Sequence, residues 1–389
     1  MQKSDESALA KRLERRNTRL RKNRRLLREV QEKVKRTVLL LAFSFAFLSA
    51  ASAAQNYMAE KVSDHGVDIV RLTDAASGVE VAIAPSLGNR LYEMKVHGKD
   101  VLNSAPDDVS DFQKRVEFGG IPFLAPWANR LSEEDFWANG KKYIFNMTLG
   151  NVRAPLPTHG LVRDSPFWEV TEVKADKHSS HITSRFRFWR YPDLMAQWPF
   201  AQEYEMTYQL SKGVLETRLV VSNLSADPMP IVVGFHPCFR IPDVDREEWT
   251  ATLAARKIAI GDGHVVATGE LKPLDLPNPF PLKGQALDTG LTDLARDAAG
   301  RAHFSIESGG KKVEVLFGPG YPVAEFFVPR LRNPANSRLD SAAQTVCIEP
   351  MAGLTNAVNL YHDGKYPGLQ ILSPGANWRE SFWIRASGI

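Results

Sequence analysis

Apolar and polar residues alternate along much of the chain beyond residue 56. Val79-Glu80-Val81-Ala82-Ile83, Tyr204-Glu205-Met206-Thr207-Tyr208-Gln209-Leu210, Leu215-Glu216-Thr217-Arg218-Leu219-Val220-Val221 and Val313-Glu314-Val315-Leu316-Phe317 all follow a period of two. A strand sends successive side chains to opposite faces, so this pattern predicts antiparallel strands with one face buried. Val67-Asp68-Ile69-Val70-Arg71-Leu72 is rich in β-formers but alternates less cleanly. Turn signals recur at Asn139-Gly140, Ser211-Lys212-Gly213, Asp262-Gly263, Ser308-Gly309-Gly310 and Asp363-Gly364. Long helical periodicity is absent after residue 56, and the 24 prolines and 26 glycines fit many turns. The prediction is an all-β fold. Strands this numerous need two packed sheets, so we expect one large antiparallel β-sandwich over residues 55–389. No repeat period is present, and the Pro-rich stretch Leu274 to Leu282 reads as a loop.

Residues 1–54 differ from the rest. Residues 1–36 carry 14 Lys or Arg and 5 Asp or Glu, a charge of +9. The whole chain is +4, so the remainder carries 4 − 9 = −5. A mildly acidic body argues against a nucleic-acid surface. The basic run leads into Thr37 to Leu48, TVLLLAFSFAFL, and then Ser49-Ala50-Ala51-Ser52-Ala53-Ala54. A charged n-region, a short apolar h-region and a small-residue site make a secretory leader, cleaved after Ala53 or Ala54. The apolar run is short of the roughly 20 residues that a membrane span needs. We therefore expect an exported protein, periplasmic or extracellular, touching the membrane only through an uncleaved leader. The unusual length of the n-region fits a translation start near Val34.

Two short segments stand out for chemistry. Val232-Val233-Gly234-Phe235-His236-Pro237-Cys238-Phe239 and Thr345-Val346-Cys347-Ile348-Glu349-Pro350-Met351 each hold one titratable residue in apolar surroundings, with a proline directly after it. Proline biases the residue before it toward extended backbone. A buried unpaired carboxylate is costly, so Glu349 should face a cleft or find a partner, and burial would suit it as a base. An imidazole and a carboxylate can move two protons on one small substrate. Upstream, Asn129-Arg130 and Thr158-His159-Gly160 offer further polar groups, and Arg130 presents a planar fork of donors suited to hydroxyls or carboxylates. Asp262, in Ile260-Gly261-Asp262-Gly263, would orient a hydroxyl or simply form a turn. Trp127, Trp137, Trp168 and Phe239 are candidates for stacking on a sugar ring, although most should be core. Cys238 and Cys347 each lie two residues from the candidate pair, on the same strand face. Two buried free thiols are expected there in preference to a bridge. No Cys/His spacing suits zinc, and no nucleotide-binding fingerprint or hydrolase elbow is present, so neither metal nor cofactor is expected.

The order of these segments resembles the aldose 1-epimerase (galactose mutarotase) family. Ala128-Asn129-Arg130-Leu131 with Asn139-Gly140-Lys141 looks like the family's NR segment and the NG hairpin after it. Thr158-His159-Gly160 with Trp168 looks like its first HG motif. Phe235-His236-Pro237-Cys238-Phe239 sits where the family has NH-x-YF. Ile260-Gly261-Asp262 with Thr268-Gly269-Glu270 and Pro273 looks like its D…P-x-G-E stretch. Ile348-Glu349-Pro350, Asn356-Ala357-Val358-Asn359 and Leu372-Ser373-Pro374-Gly375 look like its E-P-Q…N…L-x-P-G-E ending. The resemblance covers about 65–385. It implies a β-supersandwich with a sugar cleft and no cofactor. Glu349 would be the general base at the anomeric hydroxyl and His236 the general acid at the ring oxygen. His159, Arg130, Asn129 and Asp262 would hold the sugar. A monomer or dimer acting on a small sugar is implied.

Three departures fall close to these motifs. Phe235 replaces the usual Asn, Met351 the usual Gln and Ala376 the usual Glu, and all three are expected to alter the surroundings of the pocket. His159-Gly160-Leu161-Val162-Arg163-Asp164 is also similar to the HGFAR motif of hexose-6-phosphate epimerases. On that alternative Arg163, Arg90 and Arg130 would together engage a phosphate. A non-catalytic carbohydrate-binding protein on the same sandwich is a further alternative, and a polysaccharide lyase or hydrolase with this fold is another, although no second carboxylate at a hydrolase's separation is evident in the sequence.

Overall fold

The computed structural model describes residues 56–103, 108–114, 119–263, 265–330 and 344–389, together with Lys22 and Lys33 at helical positions. The leader and most of the basic run predicted for residues 1–54 lie outside the described residues. Two large sheets dominate Asn56–Ile389. One has nine strands and contains Gln202–Ser211, Val214–Asn223, Lys311–Phe317 and Asn377–Ser387. The other has eight strands and contains Gly234–Phe235, Leu287–Leu294, Val323–Val328 and Val346–Met351. A five-stranded antiparallel sheet over Tyr57–Asp100 adjoins them. The predicted all-β sandwich is what the chain forms.

The alternating segments behave as their pattern requires. Gln202–Ser211 alternates buried and half-buried positions without a break, and Val214–Asn223 does nearly the same. Hairpins close where turn residues were found: Asn139 and Gly140 both take positive φ, as do Lys212 and Gly213. That is the backbone a tight hairpin asks for. The Pro-rich stretch is not purely loop. It includes the short edge strand Phe280–Pro281, which pairs with Thr250–Ala251.

The strand Val346–Met351 differs, because all six of its residues are buried. One face meets the sandwich core and the other meets the candidate site, so both sides exclude water. Phe235, on the strand beside it, packs its ring 4.9 Å from Phe382 of the nine-stranded sheet and 5.1 Å from Phe123. Phe235 is therefore a core residue. This corrects the expectation that it shapes the pocket: His236 and Phe235 are neighbours in sequence, and the pleat sends them to opposite faces. Trp127, Trp168 and Phe239 are likewise buried in the core. Half-buried Trp137 stacks on His362 at 3.7 Å.

Cys238 and Cys347 form a disulfide, which overturns the expectation of free thiols. The reason is register. The two residues are directly paired across adjacent antiparallel strands, so their side chains leave the same face side by side. A bridge that closes a loop of about 100 residues stabilises the fold by roughly 4–5 kcal/mol in the chain-entropy account, and here the separation is 109 residues. Mass spectrometry of an unreduced digest should recover a Cys238–Cys347 cross-linked peptide, and the Cys238→Ser/Cys347→Ser variant should melt well below the parent. Recovery of both cysteines as free thiols would refute the bridge.

Candidate active site

The site is a row of side chains across the eight-stranded sheet. Gly234 pairs with Met351, and Cys238 pairs with Cys347. The same register holds on both sides of a short gap, so His236 lies opposite Glu349. Pro237 and Pro350 lack amide hydrogens and interrupt the ladder there. His236 instead donates its amide to Pro122 O, and Ile348 donates to Pro237 O. The imidazole Nε2 sits 3.2 Å from Glu349 Oε1, with both side chains nearly inaccessible to solvent.

The row continues past Glu349. On the next strand Glu325 pairs with Glu349, and Gly290 on the strand beyond pairs with Glu325. A Cβ on Gly290 would lie 3.5 Å from Glu325 Oε2, so the glycine leaves the carboxyl its room. Asp288 lies two residues before Gly290 and so shares its face. Its carboxyl exchanges a hydrogen bond with Glu325, and Thr355 Oγ1 also reaches Glu325 Oε2, at 3.5 Å. Three carboxyl groups therefore meet on one face. The expectations from sequence identified only Glu349. Glu325 carried the same signal, a lone acid in the apolar run Val323-Ala324-Glu325-Phe326-Phe327-Val328; nothing local marked Asp288.

Two loops close over this face. Ala125-Gly160 and Arg130-Thr158 form bridges between them, and His159 N donates to Asn129 O at 2.8 Å. Asn129, His159 and Gly160 all take positive φ. A Cβ on Gly160 would fall 2.1 Å from Ala125 O, so only glycine permits the approach that brings His159 in. The His159 and His236 rings stand edge to face, 5.4 Å apart. Arg130 Nη1 lies 3.0 Å from Asn129 Oδ1 and 3.7 Å from Asp288 Oδ2. Asn356, at the start of the short helix Ala357–His362, donates its amide to Arg130 O and accepts from Ser132 N. That ties the arginine loop to the end of the strand that carries Glu349.

Two predicted residues stand elsewhere. Asp262 is an exposed turn residue. Its carboxylate accepts from Val266 N at 2.9 Å within its own hairpin. Asp288 is the acid that meets Arg130. Arg90 is buried, lies 2.5 Å from Asp164 and 3.4 Å from Gly119 O, and covers the Phe112 ring at 4.5 Å. Arg163 takes the other oxygen of Asp164 through Nε and Nη2, at 2.8 and 2.6 Å. Met351, two residues past Glu349, is buried on the site face, where a Cβ at Gly234 would meet it. Ala376 lies in the turn before Asn377–Ser387, its carbonyl accepting from Asn223 N.

Burial governs the electrostatics. It pushes Glu349 well above the ordinary carboxylate range, helped by the charges of Glu325 and Asp288 and opposed by Arg130. It raises Glu325 to about 8, again with Asp288 adding. It lowers His236 to about 4, with Arg163, Arg130 and Arg90 contributing. His159 is lowered by burial and then by His236. Burial thus disfavours charge on both partners and pushes Glu349 toward keeping its proton. Burial favours the uncharged arrangement, with the proton on Glu349. Shifting it across the 3.2 Å contact yields imidazolium and carboxylate, an acid and a base within reach of one substrate.

A model of the aldose 1-epimerase family matches residues 68–385. The chain belongs to that family. Among solved structures, a galactose mutarotase-like protein from Clostridium acetobutylicum is similar at a TM-score of 0.74 and 20% identity, covering 86% of this chain and 99% of that one. A galactose 1-epimerase from Lactobacillus acidophilus gives 0.66 and 13%, covering 85% and 98%. A protein from Escherichia coli described as a putative aldose 1-epimerase gives 0.59 and 18%, covering 86% and 100%. At these identities the likeness carries the fold, which is galactose mutarotase-like. Family and fold together support a sugar epimerase or sugar-binding role.

The raised Glu325 carboxyl has a stability consequence. The folded state keeps a proton to about pH 8, whereas the unfolded chain releases it near 4.5. Between those values the native state binds more protons, so stability falls as pH rises, by at most about 1.4 kcal/mol per pH unit. Glu325→Gln removes this dependence. Its melting temperature relative to the parent should climb steadily from pH 5 to pH 8, and a constant difference would contradict the assignment.

Proposed function

We propose that the protein is an aldose 1-epimerase interconverting the α and β anomers of free hexoses. The observation that carries this reading is His236 set opposite Glu349 at 3.2 Å on a water-excluded sheet face. Glu349 takes the proton of the anomeric hydroxyl while His236 protonates the ring oxygen. The C1–O5 bond breaks and leaves an open-chain aldehyde. Rotation about C1–C2 presents the other carbonyl face. The C5 hydroxyl then attacks, returning its proton to His236, while Glu349 gives a proton to the new anomeric oxygen. Atoms and protons balance over the cycle, so the residues on this face suffice. Arg130 and His159 hold the sugar and steady charge at its oxygens, while Asn129 and Asp288 accept from or donate to its hydroxyls.

A sugar phosphate is supported less well, because Arg90 and Arg163 already share the carboxylate of Asp164. Two of the three arginines expected to engage a phosphate are thus paired with a protein carboxylate. We further propose export, on the reading of Thr37 to Ala54 as a leader, and a monomeric or dimeric enzyme.

Freshly dissolved α-D-glucose and α-D-galactose, followed by polarimetry or NMR, test the reaction. Residues 55–389 should accelerate mutarotation. Glu349→Gln and His236→Asn should each lose on the order of 10²–10⁴-fold in kcat/KM. A folded parent with no acceleration would leave a non-catalytic sugar-binding protein.

The pair's single proton also sets the pH profile. Below about pH 4 His236 gains a second proton, leaving no base. Above the raised Glu349 value the pair holds none, leaving no acid. The expected kcat/KM has its acid limb near pH 4 and falls on the basic side at the raised Glu349 value. An acid limb near the ordinary histidine value of about 6.5 would count against the buried pair.

A further inference from the structure

The His236–Glu349 pair is bordered on one side by His159. His159, beside His236, also lines a cavity of about 770 Å³. A second hollow of about 530 Å³ shares His159, Thr158 and Arg153 with it and includes Arg130. Clefts of about 300–1,000 Å³ hold drug-sized ligands, and one hexose is smaller than those. The hollow that begins at His159 therefore has room for a sugar ring of its own.

Part of the wall of the larger cavity is aromatic and aliphatic surface. Phe167 and Tyr191 lie there, stacked 4.5 Å apart at 14°. Phe167 is 50% exposed. Tyr191 in turn packs 5.4 Å from buried Phe186, so the core holds the platform from behind. Pro192 and Leu194 extend it, and Arg153 and Asp193 stand on the same wall. An aromatic face left open beside a cavity, with polar groups at its edge, suits a flat ligand with one apolar side and hydroxyls around its rim. A pyranose ring has that form.

We propose that this cavity is a second carbohydrate subsite, and that the preferred substrate is the reducing end of a neutral oligosaccharide. The proposal rests on the mutarotase reading above. The first ring sits at His236 and Glu349, and the next ring lies across Phe167 and Tyr191. Only a ring with a free anomeric hydroxyl can open, so the second sugar is joined through another hydroxyl of the first. The class is neutral because Asp164 already takes Arg90 and Arg163.

The test compares kcat/KM for mutarotation of glucose and galactose with that of cellobiose, lactose and maltotriose. The parent should favour the oligosaccharides by about threefold to tenfold, the scale of one aromatic contact. Phe167→Ala should abolish that preference and leave glucose within about twofold of the parent. Phe167→Trp keeps a platform and should keep the preference. Equal rates on all sugars in the parent, or a preference that survives Phe167→Ala, would overturn the subsite while leaving the epimerase reading intact. Faster turnover of glucose 6-phosphate than of any neutral sugar would overturn the ligand class. A folded parent inactive on every sugar would sink the epimerase reading instead. Saturation-transfer NMR with cellobiose and lactose would then judge the subsite alone, and absence of binding would reject it.

Discussion

Two strands more than a hundred residues apart in sequence keep one register across a break in their hydrogen bonding, and the rest of the site hangs on that. Gly234 and Cys238 fix it on one side, Met351 and Cys347 on the other. Between them two prolines remove amide donors, so the usual ladder cannot hold His236 against Glu349. Substitute contacts do so: the His236 amide on Pro122, the Ile348 amide on Pro237, and the disulfide one pleat away. A slip of one strand by one residue would turn its member of the pair toward the core and away from its partner.

Register also explains why the acids accumulate. In a sheet, strictly opposed residues repeat from strand to strand, so His236, Glu349, Glu325 and Gly290 form one line across four strands. Burial then decides their charge. Three carboxyl groups that were all ionised on one dry face would repel one another and lose their hydration, so protons are retained there. Arg130 offsets part of this. The result is a set of carboxyl groups that hold protons more tightly than exposed ones.

The strands, the turns and the His236–Glu349 pair were legible in the sequence because each is a local signal. Alternation marked the strands, glycine and asparagine the hairpins, and a lone titratable residue in an apolar run the pair. What the sequence hid was pairing. Glu325 had the same appearance as Glu349, but its position opposite Glu349 depends on a strand register that no local pattern states. Asp262 and Asp288 could not be ranked by their surroundings, since a Gly-Asp-Gly turn looks as functional as an acid in a strand. The cysteines were placed on the correct face but not joined, because joining them needs the same register. Phe235 was misread for a simpler reason: adjacency in sequence means opposite faces in a strand.

That last point bears on how such a protein changes over generations. On the Gly234–Phe239 and Val346–Met351 segments, odd and even positions answer to different demands. Phe235, Ile348 and their neighbours fill the sandwich, whereas His236 and Glu349 face the candidate site. Substitutions at one parity act first on packing and those at the other first on the candidate site. A single pleat separates the two selective pressures.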